Sequence, residues 1–485
     1  MAEKIKIGII TDCISGVELA VKFSELGVAV SVCGYSKNSS ADIKALYKAY
    51  NEVSAPGAQE LLFDPEALLL SLKPPRTVLL VCKNFDREEL KSFMDKLDKG
   101  DTLIDCCDMN YKESAIISKQ FARQYINYLG TGLVYTTEMF FSKPSFMFSG
   151  DKGVYENIKP VFSDISPFVK KYSCAAYVGP DGAGQFVKMV CNAIYYTFLE
   201  LISETIFLLN KGAGMDNLTI GDILTDFNSG ETASFLLDTA ADVIKRKDAK
   251  TGRYISDMVL DRVEYSNKDI WIGKSAFDLE CPMPTVLTSI EMRFMSSDIS
   301  RRIASSQIIN NVSAEVIGAK DRKAFVETCR KALYLGMICC VDQCFSLLKS
   351  ASQKYKWNLN YAHIAACLYG GTFVQSAVLL KAMSAFETQG KAESLMLCEP
   401  FGSLVKDYFP EVRSLSGYII KNGWPCNAIN SIIGYVDAVR YRRLPTAPVQ
   451  LLRDCIADTG FERIDDTGIF YGDWSDINTV ETKKR

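Results

Sequence analysis

Gly179-Pro-Asp-Gly-Ala-Gly-Gln-Phe-Val-Lys188-Met-Val-Cys191-Asn192-Ala-Ile-Tyr195-Tyr196 opens the stretch that decides the fold, and an apolar run carries it on to about Leu209. A glycine-broken loop feeds a segment with Phe, Val, Met, Ile and Leu on every face, which is the pattern of a helix buried at the centre of a large domain. Lys188, Cys191, Asn192, Tyr195 and Tyr196 stand at i, i+3, i+4, i+7 and i+8, so the spacing predicts that they rise along one face. A lysine, a thiol, an amide and two phenols on one face of a core helix make a candidate site.

N-terminal to this helix, residues 4–10 read as a strand, Gly16 to about Leu26 as a helix and Val28 to Cys33 as a second strand. Together they form the first βαβ unit of a dinucleotide-binding fold. Such a unit carries G-x-G-x-x-G, in which the first two glycines serve the turn and the pyrophosphate and the third lets helix and strand pack closely. The loop Thr11-Asp12-Cys13-Ile14-Ser15-Gly16 keeps only that third glycine. Cys13 sets a side chain where a pyrophosphate would come nearest, and Asp12 adds a carboxylate that opposes the helix dipole. Two further strands are expected at Thr77–Cys82 and Thr102–Cys107, and amphipathic helices follow the core helix to about residue 445.

The 485 residues are 48% hydrophobic and 23% charged with net charge −3, an ordinary globular composition without the basic excess that nucleic acid demands. The N-terminal apolar run is too short for a signal-peptide core, and Lys188, Glu200 and Glu204 interrupt the longest apolar stretch. A soluble, cytoplasmic protein with no membrane and no nucleic-acid partner is therefore expected. The 16 cysteines are scattered without a C-x-x-C, so reduced, buried thiols are expected. His363, the one histidine, lies among apolar neighbours and reads as a packed core residue rather than a catalyst. With a single histidine, no metal site is expected.

The opening stretch resembles the active-site helix of the 6-phosphogluconate dehydrogenases, roughly G-x-G-A-G-H-F-V-K-M-V-H-N-G-I-E-Y, and the similarity continues in register over nearly the whole chain. The resemblance implies an α/β plus all-α fold with three parts: a Rossmann-like NADP-binding-type domain over 1–180, an all-helical domain over 181–449, and a C-terminal tail over 450–485 that crosses to a partner subunit. It also implies a homodimer, NADP as cofactor, and oxidative decarboxylation of 6-phosphogluconate to ribulose 5-phosphate and CO2.

Residue by residue, the resemblance is uneven. The family base is Lys188 and Asn192 also matches, but the family histidine is Cys191 and the acid glutamate is Tyr195. The Asn-Arg-Thr that holds the NADP 2′-phosphate is Gly34-Tyr35-Ser36, which leaves Tyr35 to stack on adenine as a route to weak nucleotide binding. An asparagine beside substrate and nicotinamide is Asp108, and the substrate-binding Ser-Gly-Gly is Val134-Tyr135-Thr136, where Tyr135 is expected to fill the pocket. The motif K-G-T-G-K-W reads Ser266-Asn-Lys268-Asp-Ile-Trp271, with Lys268 placed to reach an anion. Tyr196, Arg293 and the tail residue Arg453 match binders of the sugar phosphate, while a tail histidine is Thr459. The cofactor set is thus the degenerate Gly16, Cys13, Tyr35 and Asp108. Two readings follow: a scaffold whose reaction is lost or strongly impaired, keeping an anion pocket and pairing with itself or with an active relative; or an active NADP-dependent enzyme with an unusual site.

Overall fold

Strand β1 (Lys6–Thr11) is buried along nearly its whole length because it lies inside a sheet covered on both faces. The structure, a computed structural model, describes residues 6–35, 61–83, 90, 92–93, 95–135, 143–266, 268–309, 315–390, 392–476 and 480–484. Ser36, Thr136 and Asn267 of the motifs above lie outside the described residues, as do residues 4 and 5 of the first expected strand.

The strands that follow are β2 (Ala29–Gly34), β3 (Leu61–Leu62), β4 (Thr77–Val81), β5 (Thr102–Asp105), β6 (Asn127–Val134) and β7 (Ser145–Gly150). A short hairpin, β8 (Phe168–Val169) and β9 (Tyr172–Ser173), precedes β10 (Ala175–Gly179). Eight of these form one sheet in the order β10-β7-β6-β5-β4-β1-β2-β3. The pairs are parallel apart from β6 with β7, which run antiparallel. Chain order reverses beside β1, the place where open α/β sheets leave a ligand crevice.

Helices α1 (Ile14–Glu25), α2 (Pro65–Leu70), α3 (Tyr111–Arg123) and α4 (Lys152–Ile165) cover the sheet. On one face Leu19 and Phe23 of α1 meet Tyr155, Ile158 and Phe162 of α4 over Ile9, Leu79 and Phe146. On the other face Leu68 of α2 and Phe121 of α3 pack over Ile10, Leu80 and Leu103. Three of these helices begin on acceptor side chains, since Asp64, Asn110 and Asp151 accept from backbone N–H groups one turn in. The sequence pattern placed β1 and α1 within two residues of where they lie, the usual uncertainty at element ends.

The core helix α5 (Ala183–Phe207) crosses the edge of the sheet at very short range. A Cβ on Gly184 would stand 2.1 Å from the Met147 carbonyl oxygen, and one on Gly132 would stand 2.5 Å from that of Gly184. Only glycine at both positions lets the helix approach so closely.

Helices α6 (Asn217–Asn228), α7 (Phe235–Val243), α8 (Trp271–Asp278), α9 (Pro284–Ser297), α10 (Ile299–Ile309), α11 (Arg322–Tyr355), α12 (Tyr361–Tyr369), α13 (Ala377–Gln389), α14 (Phe401–Lys421) and α15 (Asn427–Arg440) build the helical part. The 34-residue α11 packs on α5, and Gly336 makes room for Leu201 there. Segments 183–212 and 322–355 are long and apolar enough to cross a bilayer, but 61% and 89% of their most apolar windows are buried inside the fold. Their apolar faces are thus largely spent on packing.

Residues 1–432 form one compact unit and 433–485 a second. In the second, α16 (Ala447–Ala457) carries Asp454, whose carboxylate accepts from the backbone N–H of Gly460 and Gly472 and from the Trp474 indole. Those three bonds join the helix to the small antiparallel sheet of β11 (Phe461–Glu462), β12 (Ile469–Asp473) and β13 (Glu481–Lys484).

Candidate functional site

The site is built where α5 passes the C-terminal ends of β5 and β6. Gln185, in the first turn of the helix, donates its amide to the carbonyl oxygens of Cys107 at 3.0 Å and Thr131 at 3.2 Å. This pins the helix to the segment after β5 and to the middle of β6. One turn later Lys188 meets Asp108, which follows β5, at 2.5 Å, and Lys268 reaches the other oxygen of the same carboxylate at 3.3 Å.

Burial opposes charge on Asp108, yet Lys188 and then Lys268 outweigh it and hold the carboxyl at about 2. Burial likewise pulls the Lys188 ammonium down, but Asp108 more than compensates, so Lys188 sits above its ordinary value. Only 16% of its side chain is exposed. The expected base is therefore a clamped cation at neutral pH.

Lys188, Asn192 and Tyr195 line a cleft of about 640 Å³ together with Asp108, Val134 and Tyr135. Its far wall is apolar, made by Phe235, Leu236 and Val243 of α7 with Leu199 and Phe373. The ring of Tyr195 lies 4.6 Å from that of Phe373, so a phenol occupies the flank where the family pattern has a glutamate. Cys191 departs from the expected face. It is fully buried, and burial lifts its thiol to about 12. At about 100° per residue, Asn192 and Tyr196 turn about 40° and 80° one way from Lys188 while Cys191 turns about 60° the other, into the core.

Tyr196 and Arg293 do come together, but with a third partner that the sequence reading left out. The guanidinium stacks on the Tyr196 ring at 4.0 Å and approaches Asp269 at 3.8 Å. Asp269 is 5% exposed and also accepts from the backbone N–H of Ser266 at 2.8 Å. Burial, then hydrogen bonding to Asp269, raises the Tyr196 phenol. About 20 Å³ of space remains among Tyr196, Lys268, Asp269 and Lys188. That holds one water and no phosphate. The signal for Asp269 was available, since it stands where the family motif has a glycine.

The cofactor loop is occupied from within. Cys13 precedes α1 without a side-chain cap, and its own N–H donates to the Thr11 hydroxyl at 3.1 Å. Its thiol donates to the Val81 carbonyl at 3.4 Å. Asp12 accepts from the Lys83 N–H at 2.7 Å. A Cβ on Gly16 would stand 2.3 Å from the Thr11 hydroxyl oxygen, so this glycine serves helix-on-strand packing as expected. The Ser15 hydroxyl donates to the Tyr135 phenol, which brings that ring over the first turn of α1. Tyr35 packs against the apolar layer with Leu62 and Met109. These residues do not fit a dinucleotide in the manner of G-x-G-x-x-G: one loop donor is consumed, a tyrosine caps the helix start, and no cation stands where a 2′-phosphate would need one among the residues described at the end of β2.

Arg453 lies in the second unit and donates to Gln450 at 3.1 Å within its own helix. His363 is half-buried: its ring nitrogen bonds the Ser173 carbonyl at 2.8 Å, its ring lies tilted against Tyr172, and burial depresses its basicity. All cysteines are free thiols, buried except Cys455. Among the described residues no group of three or more His, Cys, Asp or Glu is placed to hold a metal ion.

Two family descriptions match the chain: "NAD binding domain of 6-phosphogluconate dehydrogenase" over residues 6–179 and "6-phosphogluconate dehydrogenase, C-terminal domain" over 184–474. The chain belongs to the 6-phosphogluconate dehydrogenase family. It is 31% identical over 473 residues to the NADP(+)-dependent, decarboxylating 6-phosphogluconate dehydrogenase of Bacillus subtilis, covering 97% of this chain and 99% of that one. The decarboxylating enzyme of Escherichia coli is 30% identical over 477 residues, covering 98% and 100%. The solved Plasmodium falciparum 6-phosphogluconate dehydrogenase superposes with a TM-score of 0.91 at 26% identity, covering 97% of this chain and all of that one. The N-terminal sheet is thus the NADP-binding type of this family, with Asp12 and Cys13 in the loop after β1.

Proposed function

We propose that this protein is a 6-phosphogluconate dehydrogenase scaffold in which oxidative decarboxylation of 6-phosphogluconate is lost or strongly impaired. The observation that carries the reading is the 2.5 Å ion pair between Asp108 and Lys188. A base that must accept the proton of the substrate 3-hydroxyl works when its own proton is off, and here a fixed anion keeps it on. Tyr195 in place of the carboxylic acid adds to this, because a phenol is intrinsically a far weaker acid than a carboxylic acid. The apolar wall of the cleft also disfavours a polyhydroxy acid, since each buried hydroxyl left without a partner costs about 1–3 kcal/mol.

The alternative, an active enzyme with an unusual site, draws on the retention of Lys188 and Asn192 and on the full-length match to enzymes named for the reaction. The Plasmodium falciparum relative is described in complex with NADP+ and with 6-phosphogluconate, and the same ligands are the natural ones to try. Purified protein mixed with both should form no NADPH by absorbance. Turnover within about tenfold of the Bacillus subtilis enzyme would establish the alternative. We also propose a cytoplasmic homodimer, or a heterodimer with an active relative whose site Arg453 of the tail helps complete; analytical ultracentrifugation of the purified chain tests the first, and co-purification with an active relative the second.

A further inference from the structure

The 640 Å³ cleft has the size of a small-molecule site, and its walls differ sharply in chemistry. Phe235, Leu236, Val243, Leu199 and Phe373 offer no hydrogen bonds, whereas Asn192, Tyr195 and Thr239 provide a short polar margin. The cations nearby are not free to receive an anion. Lys188 and Lys268 share the Asp108 carboxylate at 2.5 and 3.3 Å, and Arg293 is paired with the buried Asp269 and stacked on Tyr196. An incoming carboxylate or phosphate would have to displace a tethered carboxylate of the same charge, whose effective concentration at that spot is far above that of any solute.

We infer that the cleft is a binding site for an uncharged, largely apolar small molecule, from which anions are excluded because Asp108 and Asp269 already occupy the cationic positions around it. The molecule lays its apolar body against α7 and Phe373 and places one or two polar atoms at Asn192, Tyr195 or Thr239. The inference rests on the reading that the dehydrogenase reaction is lost, and it adds the class of ligand that the remodelled site takes.

N-phenyl-1-naphthylamine, uncharged and fluorescent in apolar surroundings, serves as the probe on the full chain. The wild type should bind it saturably at one site per chain, and millimolar inorganic phosphate or 6-phosphogluconate should neither compete with it nor raise the melting temperature. Ala240→Trp, which fills the cleft from α7, should weaken probe binding by about tenfold or more. Ile308→Ser, at an exposed apolar residue, should leave it unchanged. Asp108→Asn frees the two lysines and should introduce a phosphate-dependent rise in melting temperature. Absence of saturable probe binding, binding that survives Ala240→Trp in a folded variant, or stabilisation of the wild type by phosphate equal to that of Asp108→Asn would each overturn the inference. If instead the wild type forms NADPH from 6-phosphogluconate, it is the functional reading that falls, so the two failures are told apart.

Discussion

At Asp108 one oxygen atom separates a carboxylate from the amide that the family resemblance implies, and that atom changes the protonation of its neighbour. Asp108→Asn should lower the Lys188 pKa, because burial then acts on the ammonium without an opposing charge. The pH titration of the methyl resonances of dimethylated Lys188 reads this directly, and an unchanged midpoint would show that Asp108 does not hold the proton. Gly16 illustrates the opposite kind of residue, one kept for packing. Gly16→Ala would drive a methyl group to 2.3 Å from the Thr11 hydroxyl oxygen and should cost about 1–3 kcal/mol in urea unfolding, with no effect expected from lost phosphate contacts. Substitutions such as Asp108, Tyr135 and Tyr195 were legible from the sequence because a pattern said what should stand there. The partners they acquire were not, since Ser15 and Tyr135 are 120 positions apart and Lys188 and Asp108 are 80 apart.

At the scale of elements, the core helix α5 was readable because it is apolar on every side over many turns, and a helical run of that length competes with no other arrangement. Which of its polar residues face the cleft depends on rotations of tens of degrees, and Cys191 falls just past the edge. The lower half of the helix carries a second consequence. Burial raises Glu200 from its ordinary 4.5 to about 7, against the pull of the Arg293 charge. Glu204 is raised further, to about 8, although the backbone N–H groups of Ile429 and Ala428 pull it down. A folded value above the unfolded one gives a stabilising contribution that is complete below about pH 4.5 and lost as the pH rises through about 7 for Glu200. The urea midpoint of the wild type should therefore fall relative to that of Glu200→Gln across that window. Parallel curves for the two proteins would mean that Glu200 titrates normally in the folded state.

For the whole molecule, the doubly wound sheet and the helical part behind it superpose on a solved member of a family whose named members include decarboxylating 6-phosphogluconate dehydrogenases. Fold was legible because it rests on many weak, repeated signals, the apolar periods and the spacing glycines, which tolerate change at any single residue. Chemistry rests on a few atoms held to within fractions of an ångström, and here two carboxylates, Asp108 and Asp269, are paired with Lys188, Lys268 and Arg293. The measurement that bears most directly on this is a single-turnover experiment, with the protein in excess over 6-phosphogluconate labelled at the carboxyl carbon and NADP saturating. The account predicts labelled CO2 no higher than in a protein-free control; release of one equivalent per substrate would contradict it.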